Sequence, residues 1–232
     1  MSVSPEPTVG IASARAIIEY FQHLNISPQK LATLLGVNES LLTTEDQRLP
    51  ISLYHQIWET ALEHSKAPEL GLLMAQQEGR DDLGLVAHVV YNSKTLDEGL
   101  DHYMRLFSVV NEAYELELNT SGNIAHLKFL NKYQKIYNIS DMERTLAIAV
   151  SRTIKAVGNS DLFVAVHFQH SAPDYIEKYA EVFPCKVLFN QACCEIIVDQ
   201  KILALNPKQR NPHMRAATLN YANQILSRLN TD

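Results

Sequence analysis

Apolar residues recur every three to four positions at Ile11, Ala14, Ile17, Ile18, Phe21 and Leu24, and again after Pro50 at Leu53, Tyr54, Ile57, Trp58, Ala61 and Leu62. That period lays apolar side chains along one side of an α-helix, so both stretches are expected to be amphipathic helices on a shared core. Between them, Ser27 offers an N-cap, Pro28 needs no N–H partner at the first helical position, and Gly36 supplies a stop, which bounds a helix over residues 28–35. The runs "APELGLLMAQ" and "DDLGLVAHVVYNS", separated by Gly79, carry the helical character to residue 92.

Thr95 with Glu98 three places on is a capping-box spacing, in which each side chain satisfies a free backbone donor at a helix start. Leu96, Leu100, Tyr103, Phe107 and Val110 then form one stripe of a long helix. Beyond it the period becomes two. Leu116 and Leu118 alternate with Glu115 and Glu117, and Ala125, Leu127 and Phe129 with His126 and Lys128. A hairpin closed at Ser121 and Gly122 sets Glu117 against His126 and Glu115 against Lys128, leaving the other face apolar.

Ser140 and Glu143 repeat the capping spacing before a helix that buries Met142, Leu146, Ala149, Val150, Thr153 and Val157 and ends at Gly158. "LFVAVHF" is short and apolar, as a strand covered on both faces is, and "APDYIEKYAEVF" returns to helix. "CKVLF" and "CCEIIV" form a last hairpin closed by Asn190, Gln191 and Ala192, with Phe189 facing Cys193. The expected fold is α+β: an all-helical subdomain over residues 1–92, then an antiparallel or mixed sheet with packed helices over residues 93–211. From Pro212 a connector helix over residues 212–232 places Leu219, Ala222, Leu226 and Leu229 three and four apart. That seam suits docking on its own domain, pairing with a second copy as a homodimer, or leading into a following domain.

Composition narrows the function. With 46% hydrophobic and 20% charged residues, the chain is expected to fold around a sizeable core. It has neither a run of about 18 apolar residues nor a signal-peptide layout, so a cytoplasmic location without membrane contact is expected. The three cysteines do not point to a disulfide framework. Cys193 and Cys194 alternate across a strand, and His167 and His170 diverge at a strand end, so neither pair makes a metal site.

The stretch "SPQKLATLLGVNESLL" has the outline of a helix-turn-helix. The part that would enter a DNA groove, "NESLLTTEDQ", carries Glu39, Glu45 and Asp46 and no cation before Arg48, and the chain's net charge is −6. Carboxylates facing a row of phosphates raise the energy of the encounter, so these residues are read as two packed helices. The longest cationic grouping, Lys208 to Arg210, is a solvated loop rather than a phosphate-tracking face.

Five segments in order resemble a known family: "LATLLGV"; "PELGLLMAQ"; "DLGLVAHVVYNSKTLDEGLDHYMRLF"; "VHFQHSAP", through Phe168, His170 and Pro173; and "FPCKVLF", through Phe183, Val187 and Phe189. Over residues 28–200 the chain resembles the N-terminal effector-binding domain of AraC-type transcriptional regulators, in the branch that includes the ornithine- and arginine-responsive regulators. The resemblance implies a small-molecule effector and DNA contact only through a C-terminal helix-turn-helix domain, which these residues do not contain.

Candidate effector contacts are polar groups near the junction of the two halves: Tyr91, His102, Tyr103, Tyr137 and Arg144. Each also has a structural reading, Tyr103 as part of the apolar stripe and Arg144 as a solvated residue near a helix start. No nucleophile elbow, phosphate loop or His-Glu-x-x-His pattern points to an enzyme, and no cofactor is expected. The alternatives are an enzyme with an unrecognised site and a haem-based sensor using His102, although the Tyr-x-Ser-x-Arg group for haem propionates is missing.

Overall fold

The structure is a computed structural model that describes residues 6–77, 84–133, 136–208 and 210–229, so Gly79 and part of the Lys208 to Arg210 grouping lie outside the described residues. Helices α1 (Ile11–His23), α2 (Pro28–Leu35), α3 (Ser40–Thr43), α4 (Ile51–Ser65), α5 (Leu70–Gln77) and α6 (Leu85–Tyr91) come first. As the sequence predicts, Ser27 Oγ accepts the Lys30 N–H at 3.2 Å to start α2, and Gly36 ends it at φ 67°. The helix-turn-helix outline is a packed pair: Leu31, Ala32, Leu35 and Leu42 are buried while Glu39, Glu45 and Asp46 face solvent.

One feature of this region has no helical period. Thr8–Gly10 (β1) and Arg48–Pro50 (β2) pair antiparallel across the start of α1. Arg48 locks that ribbon to the next layer: Nη1 donates to the Val109 carbonyl at 2.7 Å and Nη2 to Ser108 at 3.0 Å, at the C-terminal end of α7 (Leu96–Val110), where orphan carbonyls need donors. The Thr95 cap of α7 is present, with Glu98 N–H on Thr95 Oγ1 at 3.2 Å. The Glu98 carboxylate reaches one residue further back than expected, to the Lys94 N–H at 2.7 Å.

The second half holds β3 (Tyr114–Ser121), β4 (Ile124–Asn131), α8 (Ile139–Val157), β5 (Phe163–His167), α9 (Glu177–Val182), β6 (Lys186–Leu188) and β7 (Cys194–Asp199). A short 3-10 helix, Gln200–Ala204, leads to α10 (Pro212–Leu229). The strands form a mixed five-stranded sheet in the order β3-β4-β7-β5-β6, with only β5 and β6 parallel.

Four expectations need correction. The β3–β4 hairpin turns at Gly122 and Asn123, with Gly122 at φ 59°, so Glu117 faces Lys128 and Asn119 faces His126. Every partner moves by two residues, which leaves each side chain on its expected face because the strand period is two. The cysteine hairpin does not form: β6 pairs with β5, and β7 inserts between β5 and β4. The α8 cap is Asn138, whose Oδ1 accepts the Asp141 N–H at 3.0 Å, while Ser140 and Glu143 are buried inside the helix. Finally, β5 exposes Val164, and β7 is the strand buried along almost its whole length.

Candidate functional site

A cavity of about 230 Å³ opens between α6, α7, α8 and the inner face of the sheet. The predicted stripe of α7 is one wall: Leu96, Leu100, Tyr103, Phe107 and Val110 all line it. Phe107 meets Tyr103 and Phe129 edge-on, with ring centroids 5.2 and 6.0 Å apart, and thereby joins this wall to the sheet. The sheet contributes Leu118, Leu127, Phe129, Phe163, Ile196 and Val198. The third wall is α8, where Asp141, Arg144, Thr145, Ile148, Arg152 and Thr153 share one side at helical spacing.

The polar lining gathers at two ends. Near α1 and α4, Tyr54 Oη donates to Asp141 Oδ1 at 2.5 Å, and Arg144 Nη1 donates to the Ser13 carbonyl at 3.3 Å. Burial pushes the Asp141 carboxyl up, against the opposing pull of the Tyr54 hydrogen bond and the Arg144 charge. At the other end Tyr91 lies near Thr153, and the Arg152 charge acts on both Tyr91 and Tyr103. Burial raises both phenols, so they keep their protons and serve as donors.

Of the residues singled out from sequence, Tyr91, Tyr103 and Arg144 line the cavity. His102 and Tyr137 do not. His102 sits toward α10, near Arg215 and Glu98, with its pKa lowered first by burial and then by Arg105 and Arg215. Tyr137 belongs to a separate buried cluster, where its Oη lies 2.8 Å from His170 Nδ1 and 3.4 Å from Cys194 Sγ. In that cluster His170 Nε2 is 3.0 Å from Tyr179 Oη, and both Tyr179 and Tyr175 donate to Glu143 Oε1. Burial pushes Glu143 up to about 7, against the pull of the two phenols, and drops His170 to about 4.

Arg152 and Thr153 also line the cavity and were not singled out from the sequence, though a signal existed. Arg152 follows Arg144 by eight residues, slightly over two helical turns, and Thr153 falls on the predicted buried side.

The wall formed by α6 is one helix thick. Leu85 and Val86 line the cavity and also pack, with Val89, Leu106 and Val109, against Ala222, Leu219, Leu226 and Leu229 of α10. The predicted seam therefore docks on its own chain. Polar ties fix it there: Arg105 Nη1 donates to Asn223 Oδ1 at 2.7 Å, Arg215 pairs with Glu98, and Tyr221 donates to Asp46.

Comparison with known proteins follows the same architecture. A family model for the arabinose-binding N-terminal domain of AraC transcription regulators matches residues 26–206. The chain is 26% identical over 184 residues to the ornithine utilization regulator of Pseudomonas aeruginosa, covering 79% of this chain and 54% of that protein. It is 23% identical over 207 residues to the HTH-type transcriptional regulator VirS of Mycobacterium tuberculosis, covering 88% of this chain and 61% of the relative. The crystal structure of the transcriptional regulator CdpR from Pseudomonas aeruginosa superimposes with a TM-score of 0.62 at 14% identity, over 90% of this chain and 65% of that one. The chain thus spans between half and two thirds of the length of these relatives. With a family match over most of its length, the chain belongs to the arabinose-binding N-terminal domains of AraC transcription regulators.

Proposed function

We propose that the cavity receives a small-molecule effector and that occupancy is passed through α6 and α7 to α10, and from there to a separate DNA-binding domain of the full-length regulator. In this reading residues 1–92 supply the helical layer, residues 93–211 most of the binding unit, and residues 212–232 the connector. Tyr91 and Tyr103 are its polar contacts, and the role is regulatory rather than catalytic. Its place of work is the cytoplasm, and no described helix is long and apolar enough to cross a membrane.

The observation that carries the proposal is the shared wall: Leu85, Val86, Tyr103 and Val110 touch both the cavity and the cluster under α10. A ligand that favours one arrangement of this wall shifts the population of α10 positions by its difference in affinity for the two arrangements. A thermal-shift screen across metabolite classes tests the first step, because a ligand bound only by the folded chain raises its melting temperature. A hit should also change amide exchange in α10. Stabilisation with exchange in α10 unchanged would contradict the transmission, and turnover of the hit would favour an enzyme.

A further inference from the structure

The cavity wall and α10 meet at a polar joint as well as at the apolar seam. α6 and α7 form one stiff hairpin: a Cβ on Gly99 would lie 2.8 Å from the Val90 carbonyl, so the two helices are in backbone contact. Val90 and Tyr91 at the end of α6, and Leu96 and Leu100 at the start of α7, line the cavity. The turn between them, residues 92–95, therefore moves with the wall.

That turn is tied to the start of α10. Its side chains meet carbonyls in the last turn of α6, where partners within the helix run out. Asn92 Nδ2 donates to the His88 carbonyl at 2.8 Å, and Ser93 Oγ to the Val89 carbonyl at 2.8 Å. The oxygen of the same Asn92 amide reaches across to the other helix, accepting the Asn211 N–H at 2.7 Å. Asn211 Oδ1 in turn accepts the His213 and Met214 N–H groups at 3.0 and 3.2 Å, which caps α10. One short amide thus closes α6 with its nitrogen and holds the residue that begins α10 with its oxygen.

We propose that Asn92 is the positioning residue that makes α10 follow the cavity wall, while the apolar seam holds α10 down without fixing where it lies. The inference rests on the effector reading given above and names the joint through which that reading works. Among the described residues of α10, Ala222 alone is buried, and apolar contact has no preferred direction, so the seam tolerates sliding and rotation. The ties at Arg105, Arg215 and Tyr221 run through long side chains that can follow such a movement. Asn92 joins backbone to backbone, and hydrogen bonds at both ends fix direction as well as distance.

The test fills the cavity in two ways, with benzene in solution and with Ala149→Phe, whose ring enters from α8. Amide exchange in the first two turns of α10 is compared between the empty and filled states of each chain. In the parent, filling should change that exchange about fivefold, the weight of one hydrogen bond. Asn211→Asp keeps both the cap and the backbone N–H and should respond as the parent does. Asn92→Asp keeps an acceptor for Asn211 but turns a carboxylate toward the His88 carbonyl, and Asn92→Ala removes both bonds; in each the response should fall below twofold. Methyl shifts at Leu100 and Ile148 report the entry of benzene. If they do not move, A149F carries the comparison, and Ala149→Leu replaces it if A149F lacks a cooperative unfolding transition. An Asn92 that only supports the fold would raise exchange equally in both states, and a response still near fivefold in N92A and N92D would overturn the proposal. A response absent from every chain, the parent included, would instead remove transmission to α10 from the effector reading itself.

Discussion

Replacing Glu143 by Gln should change how stability depends on pH. The carboxyl is completely buried, both Tyr175 and Tyr179 donate to Oε1, and Oε2 has no hydrogen-bond partner among the described residues. Burial lifts its pKa from 4.5 to about 7. At about 1.4 kcal/mol per unit, keeping it ionised costs the fold on the order of 3 kcal/mol. Because the folded pKa is raised, the contribution of this group is fully present below about 4.5 and is lost as pH rises to about 7. His170, with Nε2 4.0 Å from Glu143 Oε1, behaves in the opposite sense. Burial lowers its pKa from 6.5 to about 4, so its contribution is full above 6.5 and is lost as pH falls to about 4.

In the parent chain the two dependences nearly cancel between pH 4.5 and 6.5, since folding in effect moves a proton from the imidazole to the carboxyl. E143Q keeps the acceptor for both phenols and deletes one half of the balance. Its amide nitrogen adds a cost that does not vary with pH. Urea unfolding at half-unit pH steps, read as the stability of E143Q minus that of the parent, should rise by about 3 kcal/mol from pH 4.5 to 7 and then level off. A flat difference curve would show that Glu143 stays ionised against a protonated His170, and the neutral description of the cluster would be wrong.

Two further substitutions probe other contacts. A Cβ at Gly71 would lie 2.2 Å from the Ser140 carbonyl, so Gly71→Ala must push α5 away from α8 and should cost about 3 kcal/mol in urea unfolding; a loss near zero would place the two helices further apart than described. Ala222 is fully buried under α6 and α7, so Ala222→Glu should release α10, read as faster amide exchange throughout that helix with α8 unchanged. Retained protection in α10 would refute the docking.

Local chemistry was legible in the chain where one short-range force decides the outcome. The Ser27 and Thr95 caps and the αL stops at Gly36 and Gly158 follow from neighbours within four residues. Pairing among β5, β6 and β7 did not, because a parallel partner is chosen by packing across the sheet rather than by turn residues. For the hairpin, Ser121, Gly122 and Asn123 offer two adjacent turns that preserve the same faces, and only the strand register in the fold separates them.

The site was half readable. The α7 stripe marks an inward face, but hydrophobicity alone does not distinguish packed core from cavity wall. His102 precedes Tyr103 by one position, about 100° around the helix, which is enough to turn it toward α10. Tyr137 precedes α8 and joins His170 and Cys194, a contact set by long-range folding. Asp141 and Glu143 are buried in α8 with phenolic partners far away in the chain, at Tyr54 and at Tyr175 and Tyr179, so nothing local announces them.

Methyl NMR of the chain with and without a saturating hit from the metabolite screen tests the central claim most directly. The account predicts shifts at Leu100, Leu118, Leu127, Ile148 and Ile196 around the cavity, accompanied by shifts at Leu219 and Leu226 on α10, with Leu31 and Ile57 in the helical core unchanged. Binding that leaves the cavity methyls unmoved while shifting others would contradict it.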